Sequence, residues 1–431
     1  MTVCRTMLVL ALASSIFPAM SVAADDLPAF EALPVIKEFP DPLVTLDGAR
    51  ITTKEQWEAK RRPELKHLFQ HYMYGYFPSA PERITAKVVA EDKNYLGGKA
   101  TKKLVNIAFG PEGCPTIDLL LVIPNTRQGT GGRAPCFVGL NFNGNHTTTD
   151  DPTIPLAKGW MRPGAGVKDN KATDAGRGTS AGRWEFENAI DQGFAVATFY
   201  YGDVVPDKND RNAGAFPFFR PAGQKEAGPH EWSAIGAWAY GIHRAVDYLT
   251  SDSDIDAKHI FALGHSRNGK AALLAAAFDD RIAGVVANMA GCGGSGPSRN
   301  QNPKAETVKR INTSFPHWFC DTFKAFNDQT EKLPFDQHCL VAICAPRPVL
   351  FTAAEQDQWA NPDGQHQVLI AANPVYALYG LKGIDPSEKA DFNKLLGTTL
   401  HYHYDPGKHA VTKAHWDVYI RFAKLHMKAS K

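Results

Sequence analysis

Short apolar runs closed by turn residues recur along the chain from about residue 116 to residue 404. Runs of roughly four to eight such residues are typical of strands buried inside a sheet. The pattern predicts these strands: Thr116–Asn125, Ala134–Asn143, Gly193–Tyr201, His259–Leu263, Ile282–Asn288, Pro348–Ala353 and Thr398–Tyr404. Most of them are apolar at nearly every position, which favours burial on both faces of the sheet.

Segments with helical periodicity alternate with these strands. Between Glu231 and Thr250, apolar residues recur at three- and four-residue spacing, so they share one face of a helix. Arg267–Phe278, which is rich in alanine, and Lys413–Lys428 are the other predicted helices. Strands that alternate with helices predict the α/β class, here a three-layer αβα sandwich around a mostly parallel central sheet. Active sites of such sheets lie at the carboxyl ends of the strands.

Three regions depart from this alternation. Arg5, an apolar stretch and the small residues at 21–23 form the pattern of an export signal, so residues 1–23 are predicted to be a signal peptide. Residues 24–431 are expected to form a single catalytic domain, in which 24–105 is an N-terminal extension. Residues 144–183, rich in Gly, Asp, Thr and Lys, are expected to form a long loop, and loops of that length are usually functional or mobile.

The composition is that of a soluble globular protein. Hydrophobic residues make up 44% and charged residues 21%, and 47 basic and 45 acidic residues give a net charge of +2. The basic residues form no long block, and no later stretch is apolar enough for a membrane span, so neither nucleic acid nor a membrane is an expected partner. Six of the seven cysteines follow the signal, and their pairing is left open. The sequence contains no metal-ligand motif, and we expect no metal and no cofactor.

The sequence G-H-S-R-N-G-K at 264–270 joins a predicted strand directly to a predicted helix. A serine on a sharp turn in this context is typical of a nucleophile elbow, whose backbone N–H groups stabilise an oxyanion. The match to G-x-S-x-G is imperfect, because Asn268 occupies the place of the second glycine and Gly269 follows it. We predict that Ser266 is the nucleophile; the alternative is that it only caps the helix.

A serine nucleophile needs a base, and the base needs a carboxylate that fixes its tautomer. In this fold the chain order is serine, acid, histidine. Glu355 and Asp357 follow a late strand, and both are candidates for the acid. His409 lies in the loop after the last predicted strand and is the predicted base. Nearby histidines lie in that strand or in the final helix: His401, His403 and His415.

The junction at 264–270 resembles the G-x-S-R-x-G-K signature of the glucuronoyl esterases, carbohydrate esterase family 15. Further segments resemble the same family: 139–146, 183–184, 200–203, 232–256, 291–294, 315–319, 333–338 and 345–348. The resemblance covers roughly residue 106 to the end. It implies an α/β-hydrolase fold and a serine esterase that hydrolyses esters of 4-O-methyl-glucuronate, which join xylan to lignin alcohols. Glucuronoxylan would be its substrate. From the predicted signal peptide we expect export to the periplasm or secretion, and we expect a monomer.

The resemblance also implies roles for individual residues. Ser266 would attack the ester carbonyl, and Arg267 would hold the oxyanion with its backbone N–H and its guanidinium. Lys270, Glu306 and Trp359 match family positions that bind the sugar. Their plainer alternatives are a solvated lysine, a surface carboxylate and a packed tryptophan.

Two departures from the fungal members of the family place the chain with the bacterial type. Met289 stands where the fungal type has a glutamate, so Asp357 fits the family's alternative acid position, with Glu355 in reserve. The fungal type has cysteines before the serine and after the histidine, where this chain has His265 and Ala410.

Other functions stay open at this point. One is removal of acetyl or feruloyl groups from xylan by an esterase of the same fold, although such an enzyme needs no sugar-binding set like the one above. An exported peptidase would need a site for a substrate amino terminus, which the sequence does not indicate. The alternative from another class is a non-catalytic carbohydrate-binding protein, against which the complete set of triad residues argues.

Overall fold

The computed structural model describes residues 27–126 and 132–427, so the predicted signal peptide lies outside the described residues. Its strands are β1 (Thr85–Tyr95), β2 (Ala100–Ala108), β3 (Thr116–Pro124), β4 (Ala134–Asn141), β5 (Val167–Lys168), β6 (Lys171–Ala172), β7 (Ala195–Tyr200), β8 (Ile255–His265), β9 (Gly284–Asn288), β10 (Val349–Ala354), β11 (Leu395–Gly397) and β12 (Leu400–Asp405). Its helices are α1 (Lys54–Gln56), α2 (Arg62–Phe69), α3 (Phe186–Asp191), α4 (Ala234–Ser251), α5 (Arg267–Phe278), α6 (Val308–Ser314), α7 (Gln337–Ile343), α8 (Pro362–Leu378) and α9 (Lys413–Met427).

One large sheet organises the chain, with the strand order β1-β2-β3-β7-β4-β8-β9-β10-β12-β11. The run from β7 through β4, β8, β9 and β10 to β12 is parallel throughout. Antiparallel strands complete the two edges, β1 to β3 on one side and β11 on the other. The predicted mostly parallel sheet is therefore confirmed. Residues 85–108, within and just beyond the predicted extension, supply the strands β1 and β2.

Alternating side chains of the central strands enter two separate cores. On β4, Val138 packs on one side with residues of α4, α5, α7 and α8, whereas Phe137 packs on the other side with residues of α3 and α9. Because successive residues of a strand face opposite sides, a strand buried on both faces needs apolar residues at every position. Helices on both faces make the three-layer sandwich that the alternation of elements predicts.

The long segment 144–183 carries short 3-10 turns and the hairpin of β5 and β6. Arg177 holds this segment together, since its guanidinium donates hydrogen bonds to the carbonyls of Asp151 and Ile154 at 2.8 and 2.9 Å. Across the described ranges, none of the helices combines the length and the apolar character needed to span a membrane.

Two histidines form a hydrogen-bonded pair between β12 and α9. His401 Nδ1 donates to the carbonyl of Leu396 at 3.0 Å, so its Nε2 accepts from His426 Nε2 at 2.9 Å. Burial, together with the charge of His426, lowers the pKa of His401 to about 4, and burial also lowers the pKa of His426 to about 4. Both imidazoles are therefore neutral in the folded protein at neutral pH.

We expect the free energy of unfolding to fall as the pH drops from about 6.5 to about 4, because the unfolded chain binds protons that the folded pair excludes. Above pH 6.5 the full stability is present. The His426→Gln variant keeps a donor for His401 but loses one titrating group. Between pH 6.5 and pH 4, its free energy of unfolding should therefore fall less than that of the wild type, by on the order of 2 kcal/mol. Urea unfolding at several pH values measures this, and equal losses in both proteins would contradict it.

Candidate active site

Ser266 lies at the turn from β8 into α5, with φ 57° and ψ −128°. A positive φ is unusual for a residue with a side chain and is typical of functional turns. The turn is so tight that a Cβ at position 264 would lie 2.1 Å from the Asn268 carbonyl oxygen, so only glycine fits there. The Ser266 side chain makes no capping hydrogen bond to α5, in contrast to the capping alternative.

The departure from G-x-S-x-G has a structural explanation. A Cβ at Gly269 would lie 2.9 Å from the Gly264 carbonyl oxygen and 3.0 Å from Ala290 Cβ, so the close approach of helix and strand falls at Gly269. Asn268 is buried, and its amide donates to the Leu140 carbonyl at 3.0 Å, which ties the first turn of α5 to β4.

His409 and Asp357 form a hydrogen-bonded pair, with Nδ1 2.6 Å from Oδ2. The carboxylate is buried at 6% side-chain exposure, whereas the imidazole is 42% exposed. Since the carboxylate accepts from Nδ1–H, His409 keeps its lone pair on Nε2, which is the tautomer a general base requires. Glu355, the other candidate acid, is exposed to solvent, and its backbone N–H donates to the Asp405 carbonyl at 2.8 Å.

Backbone contacts hold the loops after β10 and β12 together. Gln356 donates from its main chain to the Gly407 carbonyl at 3.1 Å and from its side chain to the Pro406 carbonyl at 2.9 Å. On the other side, the His265 ring faces the His409 ring with centroids 4.4 Å apart. Ser266, Asp357 and His409 therefore lie at the same carboxyl edge of the sheet, after β8, β10 and β12.

His415 is already engaged on both ring nitrogens. Its Nε2 lies 2.8 Å from Asp405 Oδ2, and its Nδ1 accepts from the Thr412 backbone N–H at 3.1 Å. The side chain is buried, so it braces the start of α9 and offers no free lone pair.

Arg267 is held by a buried carboxylate that the sequence did not point to. Its Nη1 hydrogen-bonds Asp207 Oδ2, which also accepts from Arg162 Nη1 at 3.0 Å. The other oxygen, Oδ1, accepts from His317 Nε2 and from Trp318 Nε1, each at 2.8 Å. The Tyr201 hydroxyl also donates to Oδ2, at 3.5 Å. The Asp207 side chain has no solvent exposure, so protein donors and not water compensate its charge.

The protonation state of Asp207 follows from these contacts. Burial alone would raise its pKa, but the hydrogen bond from His317, the Arg267 charge and the Trp318 indole outweigh it and hold the pKa well below its ordinary value. Asp207 is therefore a permanent anion that orients two guanidinium groups. Arg162 comes from the 144–183 segment, so that segment reaches this site.

Aromatic rings form one wall beside Arg267. Phe315 and Trp318 stack at 3.8 Å with their planes 5° apart. The Arg267 guanidinium lies 4.9 Å from the Trp318 ring centroid, and Lys270 Nζ lies 5.9 Å from the same ring. The Trp318 ring is therefore in contact range of both Arg267 and Lys270.

Lys270 and Glu306 are buried and lie close enough for their charges to interact. Lys270 Nζ donates to the carbonyls of Ala290 and Cys292, each at 2.5 Å, and burial lowers its pKa despite the nearby Glu306. Burial also raises the pKa of Glu306, against the charge of Lys270. These two groups are therefore neither a solvated lysine nor a surface carboxylate.

Trp359 is 48% exposed, which is unusual for so large an apolar side chain. Its backbone carbonyl accepts from the Glu306 N–H at 3.0 Å, and the Arg310 guanidinium lies 5.9 Å from its ring centroid. The Trp359 side chain also hydrogen-bonds the Glu306 carboxylate, which opposes the rise in its pKa. The half-exposed ring therefore lies beside this carboxylate and not in the core.

Sequence reasoning located Ser266, Arg267 and the loop residues but missed Asp207 and Arg162. His317 and Trp318 lie in a segment that resembles the family, but their shared bond to one carboxylate is visible only in three dimensions. Within ranges 27–126 and 132–427, the six cysteines are free thiols, and no three His, Cys, Asp or Glu side chains are grouped as a metal site.

Comparisons with known proteins agree on one family. The family model described as glucuronyl esterase, fungi, matches residues 180–380. A carbohydrate esterase from an unknown prokaryotic organism is 45% identical over 391 residues, which is 90% of this chain and 89% of the relative. A 4-O-methyl-glucuronoyl methylesterase of Neurospora crassa is 26% identical over 80% of this chain and 74% of its own length.

Solved structures give the same result. A promiscuous CE15 esterase from a marine bacterial metagenome is 44% identical, with a TM-score of 0.84 over 93% of this chain and 99% of the other. A glucuronoyl esterase from Solibacter usitatus is 37% identical, with a TM-score of 0.84 over 92% of this chain and 99% of the other.

Proposed function

Because the chain belongs to carbohydrate esterase family 15, the glucuronoyl esterases, we propose that it hydrolyses the ester between a 4-O-methyl-glucuronate side chain of xylan and a lignin-type alcohol. The chain is a carboxylic ester hydrolase. The observation that supports this substrate is the set beside the nucleophile elbow: buried Lys270 and Glu306 next to the exposed Trp359 ring. A sugar offers hydroxyls for the polar pair and an apolar ring face for the indole.

In the proposed mechanism, Ser266 Oγ attacks the ester carbonyl carbon while His409 Nε2 accepts its proton. The tetrahedral intermediate collapses when His409 returns that proton to the leaving alcohol, which leaves the glucuronoyl group esterified to Ser266. Water then attacks this acyl-enzyme with His409 again as base, and free glucuronate and Ser266 are restored. Asp357 keeps the required tautomer and stabilises the imidazolium that forms twice in the cycle.

Arg267 would stabilise the oxyanion. The charge that develops on the carbonyl oxygen needs donors that are already oriented, since reorientation during the reaction costs free energy. Asp207 provides that orientation, because it fixes one nitrogen of the guanidinium while Trp318 lies against its face.

The Arg267→Lys variant is expected to lower kcat by roughly 10²–10³-fold, because an ammonium cannot both pair with Asp207 and reach the oxyanion. KM should change by only a few-fold, since the contact strengthens in the transition state. Steady-state kinetics on benzyl glucuronate measures both constants. Arg281→Lys is the matched control, because Arg281 pairs with Asp279 and Asp247 away from these residues. An unchanged kcat for Arg267→Lys would contradict the assignment.

The substrate proposal is tested by Glu306→Gln and Trp359→Ala on two esters. On benzyl glucuronate, each variant should lose about tenfold or more in kcat/KM, since a charge-assisted hydrogen bond or a stacking surface is lost. On p-nitrophenyl acetate, whose acyl group does not reach these residues, activity should stay within about twofold. Parallel losses on both esters would argue against a sugar site at these residues.

A second candidate is removal of acetyl or feruloyl groups from xylan, which an esterase that accepts more than one kind of ester could perform. The solved relative that is 44% identical is described as a promiscuous esterase. If acetylated xylan were the better substrate, Ser266, His409 and Asp357 would keep their roles and only the pocket assignment would change.

We also propose that the enzyme is exported and acts as a monomer, either in the periplasm or outside the cell. The predicted signal peptide at 1–23 supports export, and xylan is a polymer that is degraded outside the cytoplasm. Its partner is then the polysaccharide ester itself, and neither nucleic acid nor a membrane is part of the proposal. N-terminal sequencing of the exported protein tests the cleavage site.

A further inference from the structure

Asn288, the last residue of β9, contacts residues next to Ser266 as well as the residue next to His409. Its side-chain Nδ2 lies 3.0 Å from the Ala410 carbonyl oxygen and 3.0 Å from His265 Nδ1. Its main-chain carbonyl accepts the Ser266 N–H at 2.9 Å. The side-chain Oδ1 accepts from the Thr352 hydroxyl on β10, and Asn288 has no solvent exposure.

The hydrogen-bond roles follow from the carbonyl. Because the Ala410 oxygen can only accept, the amide atom that faces it is the nitrogen, and the second proton of the same NH₂ group goes to His265 Nδ1. His265 is therefore the neutral tautomer with its proton on Nε2. Burial, reinforced by the charge of His409, holds the pKa of His265 well below its ordinary value. The ring consequently stays uncharged when His409 gains a proton.

The two bonds from one amide join the residues that flank the nucleophile and the base. His265 precedes Ser266 directly, and Ala410 follows His409 directly. The His265 ring also packs on the His409 ring at 4.4 Å. His409 needs such support, because its side chain is 42% exposed and its loop contains a glycine.

We propose that Asn288 and His265 form a clasp that fixes the position of His409 relative to Ser266 through both proton transfers. They are positioning residues: neither touches the reacting atoms, and both act through His409. This inference rests on the proposed roles of Ser266 and His409, but it does not depend on which ester is the substrate. A displacement of about 1 Å in a catalytic group can cost on the order of 100-fold in rate.

The test compares Asn288→Asp, His265→Phe and the double variant. Asn288→Asp keeps the size and the acceptor for Thr352, but its carboxylate cannot donate to the Ala410 carbonyl. His265→Phe keeps a ring but removes the hydrogen bond to Asn288. Each single variant should lower kcat about 10- to 100-fold with KM within about twofold. Because both changes break the same clasp, the double variant should be about as slow as the worse single variant.

Measurements on two esters distinguish a failure of the clasp proposal from a failure of the substrate proposal. The clasp acts on Ser266 and His409, so the relative loss should be the same on benzyl glucuronate and on p-nitrophenyl acetate. If the wild type hydrolyses only the acetate, the substrate proposal fails while the clasp is still tested on that ester. Additive losses in the double variant, or an unchanged kcat in either single variant, would overturn the clasp. Thermal unfolding of each variant confirms that it is folded; should Asn288→Asp fail to fold, His265→Phe alone decides by its kcat.

Discussion

Replacing Ser266 with alanine is expected to lower kcat by roughly 10⁵–10⁶-fold, the loss seen when the nucleophile of a catalytic triad is removed. Without the hydroxyl no acyl-enzyme forms, and only the oxyanion donors and substrate binding remain. KM and the thermal midpoint should change little, because the side chain makes no capping hydrogen bond to α5. The measurement is the initial rate of ester hydrolysis at high enzyme concentration.

The matched control for this variant is Ser251→Ala at the exposed end of α4. It should keep the wild-type rate, since its only described side-chain bond is to the carbonyl of Tyr248. If Ser266→Ala kept more than about one hundredth of the wild-type kcat, the acyl-enzyme route would be wrong.

Replacing Asp357 with asparagine is expected to lower kcat by about 10⁴-fold. The asparagine can present its amide N–H to His409, which would favour the tautomer with the proton on Nε2, and that tautomer cannot accept the serine proton. The amide also leaves the imidazolium uncompensated. Because the shape is nearly unchanged, the thermal midpoint should stay close to that of the wild type. Steady-state kinetics on the ester substrate measures the effect.

Glu355→Gln is the control for Asp357→Asn and also decides between the two candidate acids. Glu355 is exposed to solvent, so its variant should keep nearly full activity. The opposite pattern, a large loss for Glu355→Gln and a small loss for Asp357→Asn, would transfer the role of the acid to Glu355.

The strands buried on both faces could be predicted from the sequence because burial leaves a continuous apolar run. The outer strands β1 and β2 could not. β1 is exposed along almost its whole length, so its side chains carry no alternation. β2 contains Lys102 and Lys103, which are buried in ion pairs; Lys103 Nζ lies 2.8 Å from carboxylate oxygens of both Asp252 and Asp254. A buried lysine looks like a surface residue until its partner is known.

The helix α8 was not predicted because of a proline. It contains Pro374 within its 17 residues, and an internal proline normally indicates a helix end. The helix α5, by contrast, has the predicted bounds, because glycines set its start and an alanine-rich segment continues it.

Some residues of the candidate site could likewise be predicted from the sequence, and others could not. Ser266 and His409 could be proposed because chain order and local context restrict where they occur. Chain order alone left two carboxylates as candidates for the acid. The family resemblance favoured Asp357, and the 2.6 Å contact to His409 supports that choice. Asp207 could not be found, because its partners come from three other segments, around residues 162, 267 and 317. Convergence of distant segments leaves no local signal.

Hydrolysis of benzyl glucuronate by the mature chain, measured beside acetylated xylan and p-nitrophenyl acetate, decides which ester the enzyme prefers. We expect kcat/KM on the glucuronate ester to exceed that on the acetyl esters by at least about tenfold, because sugar contacts contribute to transition-state binding. Activity confined to the acetyl esters, with none on benzyl glucuronate, would contradict it.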